Sequence, residues 1–157
     1  MELVGAYFGS GVVVVDVGIG GGRFVSERPR TMGFDVNPTA VAWLKANRLW
    51  LDPYSTANRV PGATFWDSFE HIHDPYALLD KVGEFVFMSL PIFENMEHVL
   101  RSKHFKKTEH CWYFTELGLL WFMAGAGFEL RHADNREKSV GREGIGSFVF
   151  QRKGATK

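Results

Sequence analysis

The sequence predicts a single α/β domain built on a mostly parallel, twisted sheet whose last strand runs antiparallel. Three observations carry that prediction. Apolar β-branched runs alternate with segments of helical spacing, the order of a sheet whose strands are joined by helical crossovers. Val12 to Val15 are four consecutive valines, as in a strand buried on both faces. Gly18, Gly20, Gly21 and Gly22 follow at once, where the backbone can turn sharply and approach a ligand without a Cβ in the way.

The elements are expected in the following order. Val12–Val17 is the first strand. Arg23–Arg30 allows barely two turns before Pro29 interrupts it, so the first helix is short. Thr31–Val36 is the second strand. Asn37 and Pro38 form a cap and first-turn pair, opening a helix through Ala40, Val41, Leu44 and Leu49. Asp52–Pro61 reads as a loop, with at most a stunted strand. Ala63–Ser68 is the next strand, and Asp74-Pro75 opens a helix over Tyr76–Val82. Glu84–Leu90 is a strongly apolar strand. A polar stretch with histidines runs from Pro91 to Cys111. Thr115 caps the helix Leu117–Ala124, which stops at Gly125 and Gly127. Phe128–Ala133 and Ile145–Arg152 close the sheet as an antiparallel pair. Trp43, Leu44, Trp50, Trp121 and Phe122 fall at helical spacings and are expected in the core.

Composition narrows the function. The 157 residues carry 18 basic and 18 acidic side chains, so no electrostatic footprint favours long duplex nucleic acid or an anionic membrane. One cysteine rules out a disulfide framework. No apolar run is long enough to span a bilayer, and a cytoplasmic location is expected. The 14 phenylalanines and 5 tryptophans are more than one small core needs.

The glycine spacing selects the nucleotide. Gly18-x-Gly20-x-x-Arg23 breaks the dinucleotide pattern, which needs a third glycine there. Asp16-x-Gly18-x-Gly20-x-Gly22 instead resembles motif I of the class I S-adenosylmethionine (SAM) methyltransferases. Three further segments resemble that family: Phe65 to Pro75, with Glu70-His71-Ile72-His73-Asp74-Pro75; Ser89-Leu90-Pro91; and Trp112-Tyr113-Phe114-Thr115 before the last helix and Gly127-Phe128. The resemblance covers about Val12 to Lys153. It implies a Rossmann-like fold, SAM as cofactor, and a cofactor site at Asp16, Gly18, Gly20, Gly22, Asp35, Val36, Asp67 and Ser68, with Asp35 on the ribose. The family's longer first helix, clear third strand and N-terminal covering helices have no counterpart. The cover is then missing, supplied by Pro91–Cys111, or supplied by a second subunit, which makes a homodimer an open arrangement.

Methyl transfer requires alignment of a nucleophile and sometimes its deprotonation. Asp67, Glu70 and His71 stand at i, i+3 and i+4, so a helical turn would put them on one side. Two carboxylates and an imidazole suit Mg²⁺ or Mn²⁺. The pattern resembles the acidic-x-x-Glu-His segment of ubiquinone-pathway O-methyltransferases and of 2′-O-methyltransferases acting on small-RNA 3′ ends. In the second group a further histidine precedes the last helix, where His110 stands. The resemblance implies a metal set of Asp67, Glu70, His71 and His110; without metal, His71 or His110 could be the general base. Lys103, Lys106 and Lys107 could contact a charged substrate or form a solvated loop. Trp112, Tyr113 and Phe114 could stack on a planar acceptor or anchor the last helix, and Arg136 to Arg142 reads as a hairpin rim. The expected activity is O-methylation of a small hydroxyl-bearing molecule. A SAM-binding module completed by a partner, and methylation of an RNA 3′ end or nucleotide, are the alternatives.

Overall fold

A computed structural model, which describes residues 2–155, contains one six-stranded sheet in the order β2-β1-β3-β4-β6-β5. Val14–Val17 forms β1, Thr31–Phe34 β2, Val60–Trp66 β3, Val82–Pro91 β4, Phe128–Asp134 β5 and Ile145–Arg152 β6. The pairs β1–β2, β1–β3 and β3–β4 are parallel, whereas β6 runs antiparallel to both β4 and β5. All four residues of β1 are buried, as expected of a central strand with helices on both faces.

Several helices begin where the sequence supplies a side-chain cap. Asn37 Oδ1 accepts from Thr39 N–H to open α3, Pro38–Ala46. Asp74 caps α4, Pro75–Asp80, through Ala77 N–H, and Thr115 caps α6, Glu116–Gly125, through Gly118 N–H. Each side-chain oxygen satisfies a helix N–H that has no intrahelical partner. The short first helix is α2, Arg23–Glu27. Two short helices fall where the sequence reading placed no element: α1, Glu2–Gly5, ahead of the first strand, and α5, Met96–Arg101, in the polar stretch. The segment read as a hairpin rim holds α7, Arg136–Ser139.

The loop read over 52–61 holds as far as residue 59, and β3 opens at Val60; one further parallel bridge joins Gly33 and Trp50. Pro53–Ser55 takes a 3-10 turn capped by Asp52, so the chain leaves the sheet there. Leu44 is fully buried, but Trp43 is 39% and Trp121 74% exposed. Helical spacing alone does not say which face meets the sheet, and these two indoles lie on the faces that do not.

The main core joins Val15, Phe65, Val86, Leu119 and Phe128 with their neighbours. A second cluster packs Leu3, Val4 and Phe8 on Phe85, Phe87 and Val149. The stretch ahead of β1 therefore covers part of one sheet face. Gly62 permits this approach, since a Cβ there would lie 2.4 Å from the Phe8 ring. No helix among the described residues is long and apolar enough to cross a membrane.

Candidate active site

The carboxyl ends of β1 to β4 open into a cleft, where ligands bind in parallel α/β sheets. It has two halves, of about 670 and 750 Å³, that share Gly18 and Gly20. Leu3, Asp16, Phe24, Trp66, Ser89, Arg142 and Ser147 border the first half. Phe34, Asp35, Val36, Tyr54, Ser68 and His71 border the second.

The glycine turn forms the saddle between them. Gly18, Gly20 and Gly22 all have positive φ, a region that a Cβ disfavours. At Gly18 a Cβ would also lie 2.6 Å from Ser68 Cβ. Asp16 lies beneath the turn and accepts from Thr64 Oγ1 at 2.6 Å. Burial pushes its carboxyl up to about 7, against the lowering effect of Thr64 and with a further rise from Asp35. Asp35 at the end of β2 accepts from Asn37 N–H at 2.8 Å, which fixes its carboxylate at the cleft wall. Val36 beside it is 86% exposed on that wall.

A methyltransferase domain model matches residues 2–133, most of the chain. The chain belongs to the class I SAM-dependent methyltransferase family. No curated protein matches it in sequence, but its fold is shared with solved methyltransferase structures. A chain of the complex between the Haloferax volcanii Trm112 methyltransferase activator and a methyltransferase superposes with a TM-score of 0.69 at 16% identity, covering 96% of this chain and 88% of that one. A SAM-dependent methyltransferase from Methanosarcina mazei gives 0.67 at 15% identity, with 97% of each chain covered. Magnesium protoporphyrin IX methyltransferase from Synechocystis PCC 6803, with bound S-adenosylhomocysteine (SAH), gives 0.66 at 13% identity, covering 97% and 80%.

In this methyltransferase, three members of the acidic-histidine set converge. Phe69–His71 forms a 3-10 turn after β3. Cys111 N–H and Trp112 N–H both donate to the Glu70 main-chain oxygen, at 2.8 and 3.1 Å, which brings 110–112 against that turn. One potential ligand atom from each of Glu70, His71 and His110 lies within 4.8 Å of the others. Glu70 is 2% exposed, and its Oε2 has no hydrogen-bond partner among the described residues; nor has His110 Nδ1. Burial pushes the Glu70 carboxyl up to about 7, opposed by its own backbone hydrogen bond. Burial and the neighbouring His71 push His110 down. His71 Nδ1 lies 2.9 Å from the Glu109 carbonyl oxygen. A carbonyl only accepts, so Nδ1 carries a proton, and in the neutral imidazole the lone pair is then on Nε2.

Asp67 does not join this set. Its φ of +52° interrupts the helical progression the spacing implied, and its carboxylate pairs with Arg142 from across the cleft. His71 borders the cleft, whereas neither Glu70 nor His110 is among the residues lining its two halves. Pro91–Cys111 does not roof the cleft halves either; α1 and the β5–β6 connection contribute Glu2, Leu3, Arg136, Glu137 and Arg142 there. Trp112 donates from Nε1 to the Ile72 carbonyl oxygen at 2.8 Å and packs on the core with Phe114, so both anchor the approach to α6. Lys103, Lys106 and Lys107 are exposed, with Lys106 paired to Glu109.

Sequence reasoning missed Tyr54, Trp66, Ser89, Ser147 and Arg142. The two serines face each other across β4 and β6, a pairing visible only once those strands are in register. Arg142 lies in a charged stretch that gives no sign of its partner.

Proposed function

We propose that this methyltransferase methylates the oxygen of a small hydroxyl-bearing acceptor, with His71 as the base. The observation that carries this reading is the convergence of Glu70, His71 and His110 beside the cleft, with two of their buried polar atoms unpartnered among the described residues. A hydroxyl needs deprotonation or charge stabilisation before it attacks carbon, and an imidazole with a free Nε2 supplies the first.

The cofactor fits the residues present: a Cβ-free saddle at Gly18, a buried carboxyl at Asp16 and a fixed carboxylate at Asp35. SAM, when bound, supplies a methyl group already activated by its sulfonium. Asp35 would accept from the ribose hydroxyls, while Val36, Phe34 and Tyr54 offer an apolar slot for the base. Asp16 and the glycine turn would hold the amino-acid end. His71 at the cleft edge would take the acceptor proton on Nε2, with the Glu109 carbonyl steadying the resulting imidazolium through Nδ1.

One carboxylate and two imidazoles also fit a divalent ion, with Mn²⁺ favoured over Mg²⁺ by the nitrogen donors. Glu70, His71 and His110 would hold it, and it would lower the pKa of the acceptor hydroxyl. The zero net charge and the paired arginines around the cleft favour a small acceptor over nucleic acid.

Thermal unfolding with SAH, with and without Mn²⁺, tests both parts. SAH at about 100 times its Kd stabilises by about 2.7 kcal/mol, about 5–10 °C at this size. A further rise with Mn²⁺ that disappears in His110→Ala supports the metal. A rise with SAH alone leaves His71 as an unassisted base, and no rise with SAH overturns the site.

A further inference from the structure

We propose that Asn135–Gly144 is a strap that closes over the Asp16–Trp66 half of the cleft, latched by Arg142 on Asp67, and that it opens for ligand exchange. The strap is a compact unit held by its own main-chain hydrogen bonds. Within it, Val140 N–H and Arg142 N–H donate to the Glu137 carbonyl oxygen, and Gly141 N–H to that of Lys138. Its first end is fixed where Asp134 accepts from Arg136 N–H and Nε. Its second end is fixed where Ile92 N–H donates to the Gly144 carbonyl oxygen and His104 contacts that of Glu143. Gly141 and Gly144 bracket its last residues at φ +82° and +81°, and a Cβ at Gly141 would meet nothing within 4 Å. At Gly141 the backbone can therefore turn with little steric resistance, whereas at Gly144 a Cβ would lie 3.5 Å from the His104 ring.

Between those ends, Arg142 reaches across the cleft. Its guanidinium pairs with Glu137 inside the strap at 2.7 Å and with Asp67 at the end of β3. Arg142 borders the first cleft half and Asp67 the second, so the pair lies where the halves meet. Asp67 holds a left-handed φ of +52°, which turns its carboxylate away from the Phe69–His71 turn. Both side chains are about two-fifths exposed. Such a pair is weak and salt-sensitive, as a latch that must release on each turnover requires.

The proposal rests on the reading of the cleft as the methyl-transfer site, and the test separates the two. Trypsin cleavage after Lys138, relative to an unstructured reference peptide, reports opening of the strap, while SAH affinity reports the cofactor site. Arg142→Gln and Asp67→Asn are each expected to speed cleavage by about two- to five-fold, and the double variant no more than either alone. Wild-type cleavage should quicken between about 0.05 and 0.5 M salt, and Arg142→Gln should lose that response. SAH should dissociate faster from Arg142→Gln by a similar factor. Glu97→Gln, which breaks an unrelated surface pair with Arg101, should change neither quantity. Wild-type cleavage rates in both latch variants, each still folded by circular dichroism, would overturn the latch. Faster cleavage with unchanged SAH dissociation would overturn the closing role.

Discussion

Ser68 Oγ donates to the Val17 main-chain oxygen at 2.5 Å, tying the loop after β3 to the turn after β1. That bond holds Ser68 so close to Gly18 that no side chain fits between them. Gly18→Ala therefore meets two costs, the positive φ and the clash with Ser68. Together they should lower stability by about 2–4 kcal/mol. Gly20→Ala has the same backbone cost with open space around it, so about 1–2 kcal/mol is expected. Denaturant unfolding of the pair checks the ranking.

Asp35→Ala removes the carboxylate held by Asn37 N–H without touching the core. SAH affinity should fall at least about tenfold, the equivalent of one charge-assisted hydrogen bond. Calorimetric titration measures it; an unchanged Kd would remove Asp35 from the ribose site.

Asp16 sets a pH dependence. Its carboxyl is pushed up to about 7 from a usual value of 3.8. Between these values the folded state binds a proton that the unfolded state has lost, so stability falls as pH rises. The contribution is fully present below about pH 4 and is lost as pH climbs through about 7, a change of a few kcal/mol. Glu70, raised to about 7 as well, adds in the same direction. Unfolding of the ligand-free protein at pH 5 and 7.5 should show the decline, and Asp16→Asn should reduce it, leaving the part due to Glu70.

His71→Ala should leave SAH binding within about two-fold while methylation falls at least about a hundredfold, the usual loss of a general base. Activity equal to wild type would exclude the base role.

Leu44→Ala and Trp121→Ser should differ sharply despite similar helical spacing. The first empties a fully buried position and should cost about 2–5 kcal/mol. The second alters a ring that is 74% exposed and should change stability by less than about 0.5 kcal/mol. Chemical denaturation decides both.

Much of the fold was written in local chemistry. The valine run, the Asn37-Pro38 and Asp74-Pro75 caps and the Thr115 cap each act within a few residues, so their strands and helices were legible from sequence. The glycine turn and Asp35 were legible for the same reason: a backbone that must turn sharply and an acidic residue closing the next strand. Glu70, His71 and His110 could be named, although 38 residues lie between His71 and His110. Their approach depends on the two N–H bonds from Cys111 and Trp112 to the Glu70 oxygen.

Tertiary structure alone decided the rest. It took Asp67 out of the histidine cluster, because a left-handed φ there reverses the direction that i, i+3, i+4 spacing assumes. It paired Arg142 with Asp67 across 75 residues, left Trp121 largely in solvent and kept Trp43 partly exposed. Local propensity depends on neighbours in the chain, whereas a salt bridge or a buried face depends on which distant segment the sheet order brings alongside.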